Sequence, residues 1–303
     1  MIITCTLNPA IDYHIHHDQI NIGHLNRIEK YTFDLGGKGI NVSKTLNNLA
    51  CHSKAITILN PKLKVFYKHI FKMNKYIKPV IVKTKAITRF NVKLHEEEET
   101  EINTSSNKIS SDEIHKLINE IKKVKTNDMI IFSGSGIKNE PYLYDSILST
   151  IKNIQTDIII DIPAYLYHQV LKYKPLVIKP NKVELKEFFN LKDDPDSFVP
   201  YCKKLIDLGA QSVIVSLGEK GSIFVNKDKA YKISLEPIKT NETIGAGDAF
   251  IAGFAYSYQT NKDLIKAYQF GHATSYAYIQ NEHLHINDVK MILEKIKLKE
   301  IKA

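Results

Sequence analysis

The stretch Asn241-Glu242-Thr243-Ile244-Gly245-Ala246-Gly247-Asp248 leads directly into the apolar run Ala249-Phe250-Ile251-Ala252-Gly253-Phe254. Small residues at a helix start let the backbone approach a ligand closely. The first turn also leaves amide donors unpaired at the positive end of the helix dipole. Together these make an anion hole of the kind phosphoryl transfer requires. Asp248 falls in the first turn, where it can reach a substrate hydroxyl as a general base. Taken alone, the same pattern also describes an N-capped helix with tight glycine packing, so its meaning depends on its surroundings.

Those surroundings alternate strand and helix. Upstream, Ile2 to Leu7, Asp128 to Phe132, Asp157 to Ile162, Leu176 to Ile178 and Ser212 to Ser216 are short, β-branched, apolar runs that read as buried strands. Between them, residues 110–124 open on Ser110-Ser111-Asp112-Glu113, a capping-box pattern, and carry Ile114, Leu117, Ile118, Ile121 and Val124 on one face. Further helices are expected at Pro141 to Ile151, 182–189 and 197–208, and a hairpin at 221–226 with 231–234. The end of the chain reads as helical, over about 246–259, 262–280 and 287–298. Repeated β-α-β units with apolar strands imply an α/β fold, a mostly parallel sheet covered by helices on both faces. Asp12 to His16, Ala86 to Leu94 and Glu101 to Thr104 instead alternate apolar with polar, as strands of a small sheet with one wet face do, and Glu96 to Glu99 reads as a hairpin tip. No repeat or linker divides the chain, so residues 1–303 read as a single domain with lid strands contributed by about 10–35 and 85–106.

Composition excludes several classes. At 303 residues, 43% hydrophobic and 25% charged, the chain is an ordinary globular protein, and no apolar run approaches the ~20 residues that cross a bilayer. The opening MIITCTLNPAIDY has no basic n-region, so a cytoplasmic protein is expected. Three scattered cysteines, Cys5, Cys51 and Cys202, form neither a disulfide framework nor a zinc ribbon. The net charge is +9, and Lys62 to Lys93 holds ten basic residues and no acidic one. Such a segment is either a solvated face or an attractor of phosphorylated metabolites or nucleic acid. Its aromatics Phe66, Tyr67, Phe71 and Tyr76 fall at helical spacing, as a core face does, and no nucleic-acid motif accompanies them. The histidines His14, His16, His17, His283 and His285 lack partners at zinc-ligand spacing, and no Ser stands in a G-x-S-x-G elbow.

Three further segments carry chemistry. Leu35-Gly36-Gly37-Lys38-Gly39-Ile40-Asn41 places three glycines around a lysine before a helix, with Asn41 adding two-way hydrogen bonding; its spacing matches neither a P-loop nor G-x-G-x-x-G. Lys179-Pro180-Asn181-Lys182-Val183-Glu184 ends a strand and starts a helix. Asn181 and Glu184 share a face there, placed either to hold a hydrated Mg²⁺ or to cap the helix. Ser216-Leu217-Gly218-Glu219-Lys220-Gly221 is a strand-to-hairpin turn open enough for a nucleotide.

In this order the segments resemble the ribokinase-like sugar kinases of the phosphofructokinase-B branch, closest to 1-phosphofructokinase and tagatose-6-phosphate kinase. The matching pieces are Thr6-Leu7-Asn8-Pro9-Ala10-Ile11-Asp12, Gly36 to Ser43, Thr88-Arg89-Phe90-Asn91-Val92-Lys93, Thr100 to Asn103, Ser133-Gly134-Ser135, Lys179 to Glu184, Ser216-Leu217-Gly218 and Gly245 to Asp248. They span nearly the whole chain. The resemblance implies a ribokinase-like three-layer α/β/α fold with a small β lid. It also implies ATP-dependent phosphorylation of a ketohexose phosphate: fructose 1-phosphate first, with tagatose 6-phosphate, or a non-catalytic sugar-phosphate sensor, as the alternatives.

Residue by residue, the resemblance implies that Asp12, Gly37 and Asn41 hold sugar hydroxyls. Lys38, Arg89 and Ser135 would hold the sugar's phosphate, and Asp248 would be the base, with Gly245, Ala246 and Gly247 as anion-hole amides. Asn181 and Glu184 would order Mg²⁺ through water, with Lys179 nearby. Ser216 and Gly218 would contact ATP, and Asn281 would close the adenine pocket. A homodimer through the lid belongs to the same expectation; a nucleic-acid or membrane partner does not. Four loops depart from the family pattern: Ile58 to Lys62, Thr104 to Asn107, Gly136 to Glu140 and Ile162 to Tyr165. All lie toward the sugar and lid, so substrate identity rests on them.

Overall fold

Alternate residues of the central strands feed two different cores. On β1 (Ile2–Thr6), Ile3 and Cys5 face one apolar cluster while Ile2 faces another; on the strand Asp157–Asp161, Ile158 and Ile160 divide from Ile159 in the same way. A strand's period of two sends successive side chains to opposite faces, and here both faces are dry. The first cluster is closed by Ile114, Leu117 and Ile121, by Ile147 and Leu148, and by Cys202 and Leu205. The second is closed by Val42 and Leu46 and by the long helices Ala246–Asn261 and Leu264–Gln280. Each fully buried Ile contributes roughly 1.5–3 kcal/mol to this sandwich. The computed structural model describes Met1 to Lys302 apart from residues 18, 96–99, 106–107, 138, 235, 237, 239–243 and 282–283.

The strands follow in chain order: β2 (Ala10–His16), β3 (Lys30–Gly36), β4 (Ser53–Leu59), β5 (Ile77–Lys83), β6 (Arg89–His95), β7 (Thr100–Asn103) and β8 (Met129–Ser133). They continue with β9 (Asp157–Asp161), β10 (Val177–Ile178), β11 (Ser212–Ser216), β12 (Ser222–Asn226), β13 (Ala230–Ile233) and β14 (Leu298–Ile301). Ten of them form one sheet in the order β14-β13-β12-β11-β10-β9-β8-β1-β4-β5. From β5 to β11 every pairing is parallel, and β12 to β14 are added antiparallel. The other four strands form a small sheet, β3-β2-β6-β7. This is the expected α/β architecture, with helices on both faces and a separate small sheet.

Most expected elements stand where the sequence placed them. The capping box on Ser110 forms, with Glu113 Oε2 accepting from the Ser110 amide at 2.9 Å, and the helix runs Ser111–Ile121. The helix expected from Pro141 begins at Leu143. The expected hairpin tip Glu96 to Glu99, the turn residues Ser106 and Asn107, Asn241 to Thr243 and His283 lie outside the described residues.

Two readings are corrected. The last helix is Ile286–Leu293, and the chain then returns as β14 against β13, where a helix to 298 was expected. The adjacent charged residues Lys299 and Glu300 of Leu298–Ile301 disguise an edge strand as a charged helix end. The basic segment is also mostly not part of the small sheet. Lys64, Lys68 and Lys72 lie on the helix Lys64–Met73, while Lys78 and Lys83 lie on β5, the outer edge of the large sheet. Lysines and Pro79 on an unpaired edge discourage pairing with a second sheet. Of the four aromatics expected as a core face, Tyr67 and Phe71 form one, packing with Ile11, Leu35 and Ile40 to fasten the small sheet to the large one, whereas Phe66 is exposed and Tyr76 stands outside this cluster.

Candidate functional site

All four motifs open at the carboxyl ends of the parallel strands, around the point where the chain changes direction across the sheet. From β1 the chain goes to the small sheet and then to β4 on one side; β8 later joins β1 on the other. Open α/β sheets hold ligands in the crevice outside such a switch point. Asn8 follows β1, Ser135 follows β8, Asp161 ends β9, Lys179 follows β10 and Ser216 ends β11.

Gly245 caps the helix Ala246–Asn261 in the left-handed region, at φ 87°, and a Cβ there would stand 2.6 Å from the Tyr278 hydroxyl. The left-handed backbone favours glycine, and any side chain there would also have to displace the Tyr278 hydroxyl. Asp248, in the first turn of that helix, is 6% exposed, and Asn41 Nδ2 donates to its Oδ2 at 2.9 Å. Asn41 itself sits in the first turn of the helix Lys38–Asn48, capped by Gly37 at φ 115°. Two helix starts from distant parts of the chain therefore meet at one carboxylate.

Beside them lies a residue that the sequence reading did not assign. Asp161 is 2% exposed and takes Lys38 Nζ on Oδ2 and Lys179 Nζ on Oδ1, each at 3.3 Å. Burial works to raise its carboxyl, but Lys179 and Lys38 outweigh burial and hold it below the usual range. Asp248 goes the other way. Burial first, and then the charge of Asp161, push it up to about 7, against the opposing Asn41 hydrogen bond, Lys38 and Lys179. The two neighbouring carboxyls are thus driven apart, Asp161 held ionised and Asp248 raised toward neutrality. The available signal was the position: an acid closing the apolar strand Asp157–Asp161 at its carboxyl end has to be paired or functional.

The small sheet supplies the other wall. Asp12 on β2 stands opposite Asn91 on β6, which donates to it at 2.8 Å, and the buried Lys93 ammonium lies 3.4 Å from the same carboxylate. Both positions belong to the stretch quoted around Arg89, without having been singled out. Arg89 starts β6 half-buried, and its Nε is enclosed with no hydrogen-bond partner among the described residues. Burial draws the guanidinium below its ordinary value, against Asp12 and Glu101. Ser135 accepts from Asn8 Nδ2 at 2.9 Å.

On the far side of Asp161 opens a cleft of about 770 Å³, lined by Lys179, Asn181, Ser216, Gly218, Ala246 and Gly247, with Ile214, Phe250, His272, Ser275, Tyr276 and Ile279. Asn281 is not among its lining residues; its amide donates to the Ala277 carbonyl at 3.0 Å. A second hollow of about 780 Å³ lies at the opposite, amino-terminal end of β9, where Lys172 and Lys262 are already paired with Asp145 and Asp157. It contains none of the motifs.

Asn181 and Glu184 form a reciprocal capping box. Glu184 accepts from the Asn181 amide at 2.8 Å, and Asn181 Oδ1 accepts from the Glu184 amide at 2.9 Å. Burial raises the Glu184 carboxyl. Among the described residues no group of three His, Cys, Asp or Glu could hold a metal ion directly. Glu184 keeps one oxygen outside the cap, so the donor set fits an ion carried on a ligand's phosphates and reached through water.

Fold and site together define a kinase-type α/β enzyme in which two helix starts meet at a buried, raised carboxyl beside one large cleft. The chain belongs to the pfkB family of carbohydrate kinases, matching that family over residues 6–288. It is 35% identical to a 1-phosphofructokinase of Borreliella burgdorferi, with 99% of each chain covered. It is 31% identical to a tagatose-6-phosphate kinase of Staphylococcus epidermidis, covering 99% of this chain and 100% of that one. Among solved structures, phosphofructokinase-2 of Escherichia coli in complex with substrates and products superposes with a TM-score of 0.90 at 23% identity, covering 97% of this chain and 98% of that one. That likeness concerns the fold. No helix among the described residues is long and apolar enough to cross a membrane.

Proposed function

We propose that this chain transfers the γ-phosphoryl group of ATP to a free hydroxyl of a phosphorylated ketohexose, fructose 1-phosphate being the preferred acceptor and fructose 1,6-bisphosphate the product. The observation that carries this reading is the buried Asp248, one residue past Gly247 at an open helix start, with its carboxyl pushed up to about 7. A sensor has no need of a base poised near neutrality.

The sugar lies against the small sheet, its hydroxyls on Asp12, Gly37 and Asn41 and its phosphate on Arg89, Lys38 and Ser135. ATP lies in the cleft beyond Asp161, along Lys179, Ser216 and Gly218, with its γ-phosphate toward the amides of Gly245, Ala246 and Gly247. Asp248 takes the proton from the attacking hydroxyl, and Asn41 keeps the accepting oxygen of that carboxylate in place. Asp161 holds Lys38 toward the sugar's phosphate and Lys179 toward the transfer path, where the charge of Lys179 offsets what builds up on the phosphoryl oxygens. Mg²⁺, held through water by Asn181 and Glu184, would neutralise further charge on the nucleotide's phosphates. Residues 1–303 act as one kinase domain, the small sheet being its lid.

The test is ADP release with fructose 1-phosphate, tagatose 6-phosphate and fructose 6-phosphate as separate acceptors. Turnover is expected with at least one, highest with fructose 1-phosphate. No release above background with any of them would remove the enzyme reading and favour a sugar-phosphate sensor.

The same reading makes the lid a dimer contact. Tyr13 stacks on Phe33 at 4.6 Å, Tyr31 and Phe33 remain 52% and 44% exposed, and β7 is exposed along its whole length. Open strand edges beside exposed aromatic rings are surfaces that pair. Light scattering at working concentration is expected to give a dimer, and Phe33→Asp a monomer; a monomeric wild type, with and without sugar phosphate, would contradict it.

A further inference from the structure

Asp12, the carboxylate assigned to the sugar's hydroxyls, is held at both of its oxygens. Asn91 Nδ2 donates to Oδ1 at 2.8 Å, and Lys93 Nζ stands 3.4 Å from Oδ2. Gly36, at the end of the neighbouring strand β3, presents bare backbone to the same group, and a Cβ there would overlap Oδ2. The last torsion of an Asp side chain is otherwise broad, so these contacts are what give the carboxylate one orientation. An ionised carboxylate offers about four acceptor positions, and two protein donors leave others for a ligand's hydroxyls.

Lys93 is 8% exposed, and a lysine so deeply placed needs acidic partners. Its second partner is Glu101 on β7, at 3.7 Å. Arg89, Asn91 and Lys93 alternate along β6, and the period of two puts all three on one face. The parallel register sets them beside Ala10, Asp12 and His14 of β2. One face of β6 therefore carries, in order, the guanidinium assigned to the sugar's phosphate, the amide on Asp12 and the cation on Asp12. That cation answers a conflict within the site. A buried carboxylate repels a phosphorylated sugar, and a buried charge is costly unless it is paired.

We propose that Lys93 is a positioning residue for the sugar: together with the Asn91 amide it fixes the orientation of the Asp12 carboxylate, and it offsets the charge of Asp12 toward the anionic substrate without touching that substrate. The proposal rests on the sugar reading of the small sheet, and the experiment separates the two.

The measurement is the KM for the best sugar phosphate in a double-mutant cycle. Lys93→Met keeps the apolar stem and removes the charge. It is expected to raise the sugar KM at least about tenfold, with kcat and the KM for ATP within about threefold of wild type. Placed on an Asp12→Asn background, it is expected to add no more than about twofold, because a residue that acts through Asp12 then has nothing to act on. Lys93→Arg, which returns a cation, recovers part of the lost affinity. Glu101→Gln breaks the tie to β7 while leaving Lys93 on Asp12, and it is expected to keep the sugar KM within about twofold of wild type. A role confined to fastening β6 to β7 would instead make Glu101→Gln as harmful as Lys93→Met. Where Lys93→Met melts too low to assay, Lys93→Gln is read in the same cycle.

Three results overturn the proposal: effects that multiply in the double variant, an unchanged sugar KM in a folded Lys93 variant, or a Glu101→Gln variant that matches Lys93→Met. If Asp12→Asn raises the sugar KM while the cycle is multiplicative, the sugar reading stands and only the role of Lys93 fails. If the wild type turns over no sugar phosphate, or Asp12→Asn leaves the sugar KM unchanged, the sugar reading fails and the proposal fails with it.

Discussion

Asp248→Asn lowers kcat by at least ~10²-fold, the general-base scale, with little change in either KM. The amide keeps the shape and can still meet Asn41, but it cannot take the proton of the attacking hydroxyl. In the wild type the carboxyl must be ionised to act. Because it is pushed up to about 7, kcat/KM for the sugar is expected to fall about tenfold per pH unit below that point and to level off above it. Asp161→Asn removes the nearby negative charge and leaves Lys38 and Lys179 unbalanced, both of which lower the Asp248 carboxyl. The acid limb then moves to lower pH.

Stability moves opposite to activity. A carboxyl raised in the folded state above its unfolded value of about 3.9 leaves the fold relatively most stable below that value. That stability is lost as pH rises to about 7, where the buried group ionises. Asp248→Asn escapes this loss and is expected to melt ~2–6 °C above the wild type at pH 8, as relief of active-site strain does elsewhere. A variant that retains near-normal kcat, or melts lower than wild type, would place the base elsewhere.

Arg89→Ala raises the KM for the sugar phosphate by about tenfold to a hundredfold while the KM for ATP hardly moves, as loss of a charge-assisted hydrogen bond of roughly 1.5–3 kcal/mol requires. A guanidinium offers a bidentate fork to phosphate oxygens, whereas Lys38 acts as a point charge already engaged by Asp161. The enclosed Nε has no hydrogen-bond partner among the described residues and can donate to a phosphate oxygen. Lys72→Ala, on the exposed face of the helix Lys64–Met73, is the control and should do almost nothing. An unchanged sugar KM in Arg89→Ala would mean that other residues hold the phosphate.

How much of this was legible before any coordinates depended on locality. Ser110 with Glu113, and Gly245 before Ala246, are relations between near neighbours, and the chain displays them directly. The alternation in Asp12 to His16 and Ala86 to Leu94 marked a second sheet because one face is wet. Its third strand, β3, was less legible: Lys30 to Phe33 are exposed or half-exposed throughout, so burial imposes no strict alternation there. β14 and β5 escaped for the same reason, their edge positions being taken by charged residues such as Lys299, Glu300, Lys78 and Lys83. The pairing of Asp161 with Lys38 and Lys179 depends on two strand ends and a helix start converging, and no spacing encodes it. The pairing of Asn181 with Glu184 was visible as a spacing, but which of its two meanings applies depended on both side chains turning back to cap the helix.

The central claim is that Asp248 and the Gly245–Gly247 amides transfer phosphoryl to a hydroxyl of a ketohexose phosphate. The most direct measurement follows the phosphorus itself, by ³¹P NMR of protein, ATP, Mg²⁺ and fructose 1-phosphate at pH 8. The account predicts that ATP γ-phosphate signal is lost as a second sugar phosphomonoester grows in equal amount, giving fructose 1,6-bisphosphate, and that Asp248→Asn produces neither change on the same timescale. Loss of γ-phosphate to inorganic phosphate alone, or a bisphosphate formed equally fast by Asp248→Asn, would contradict it.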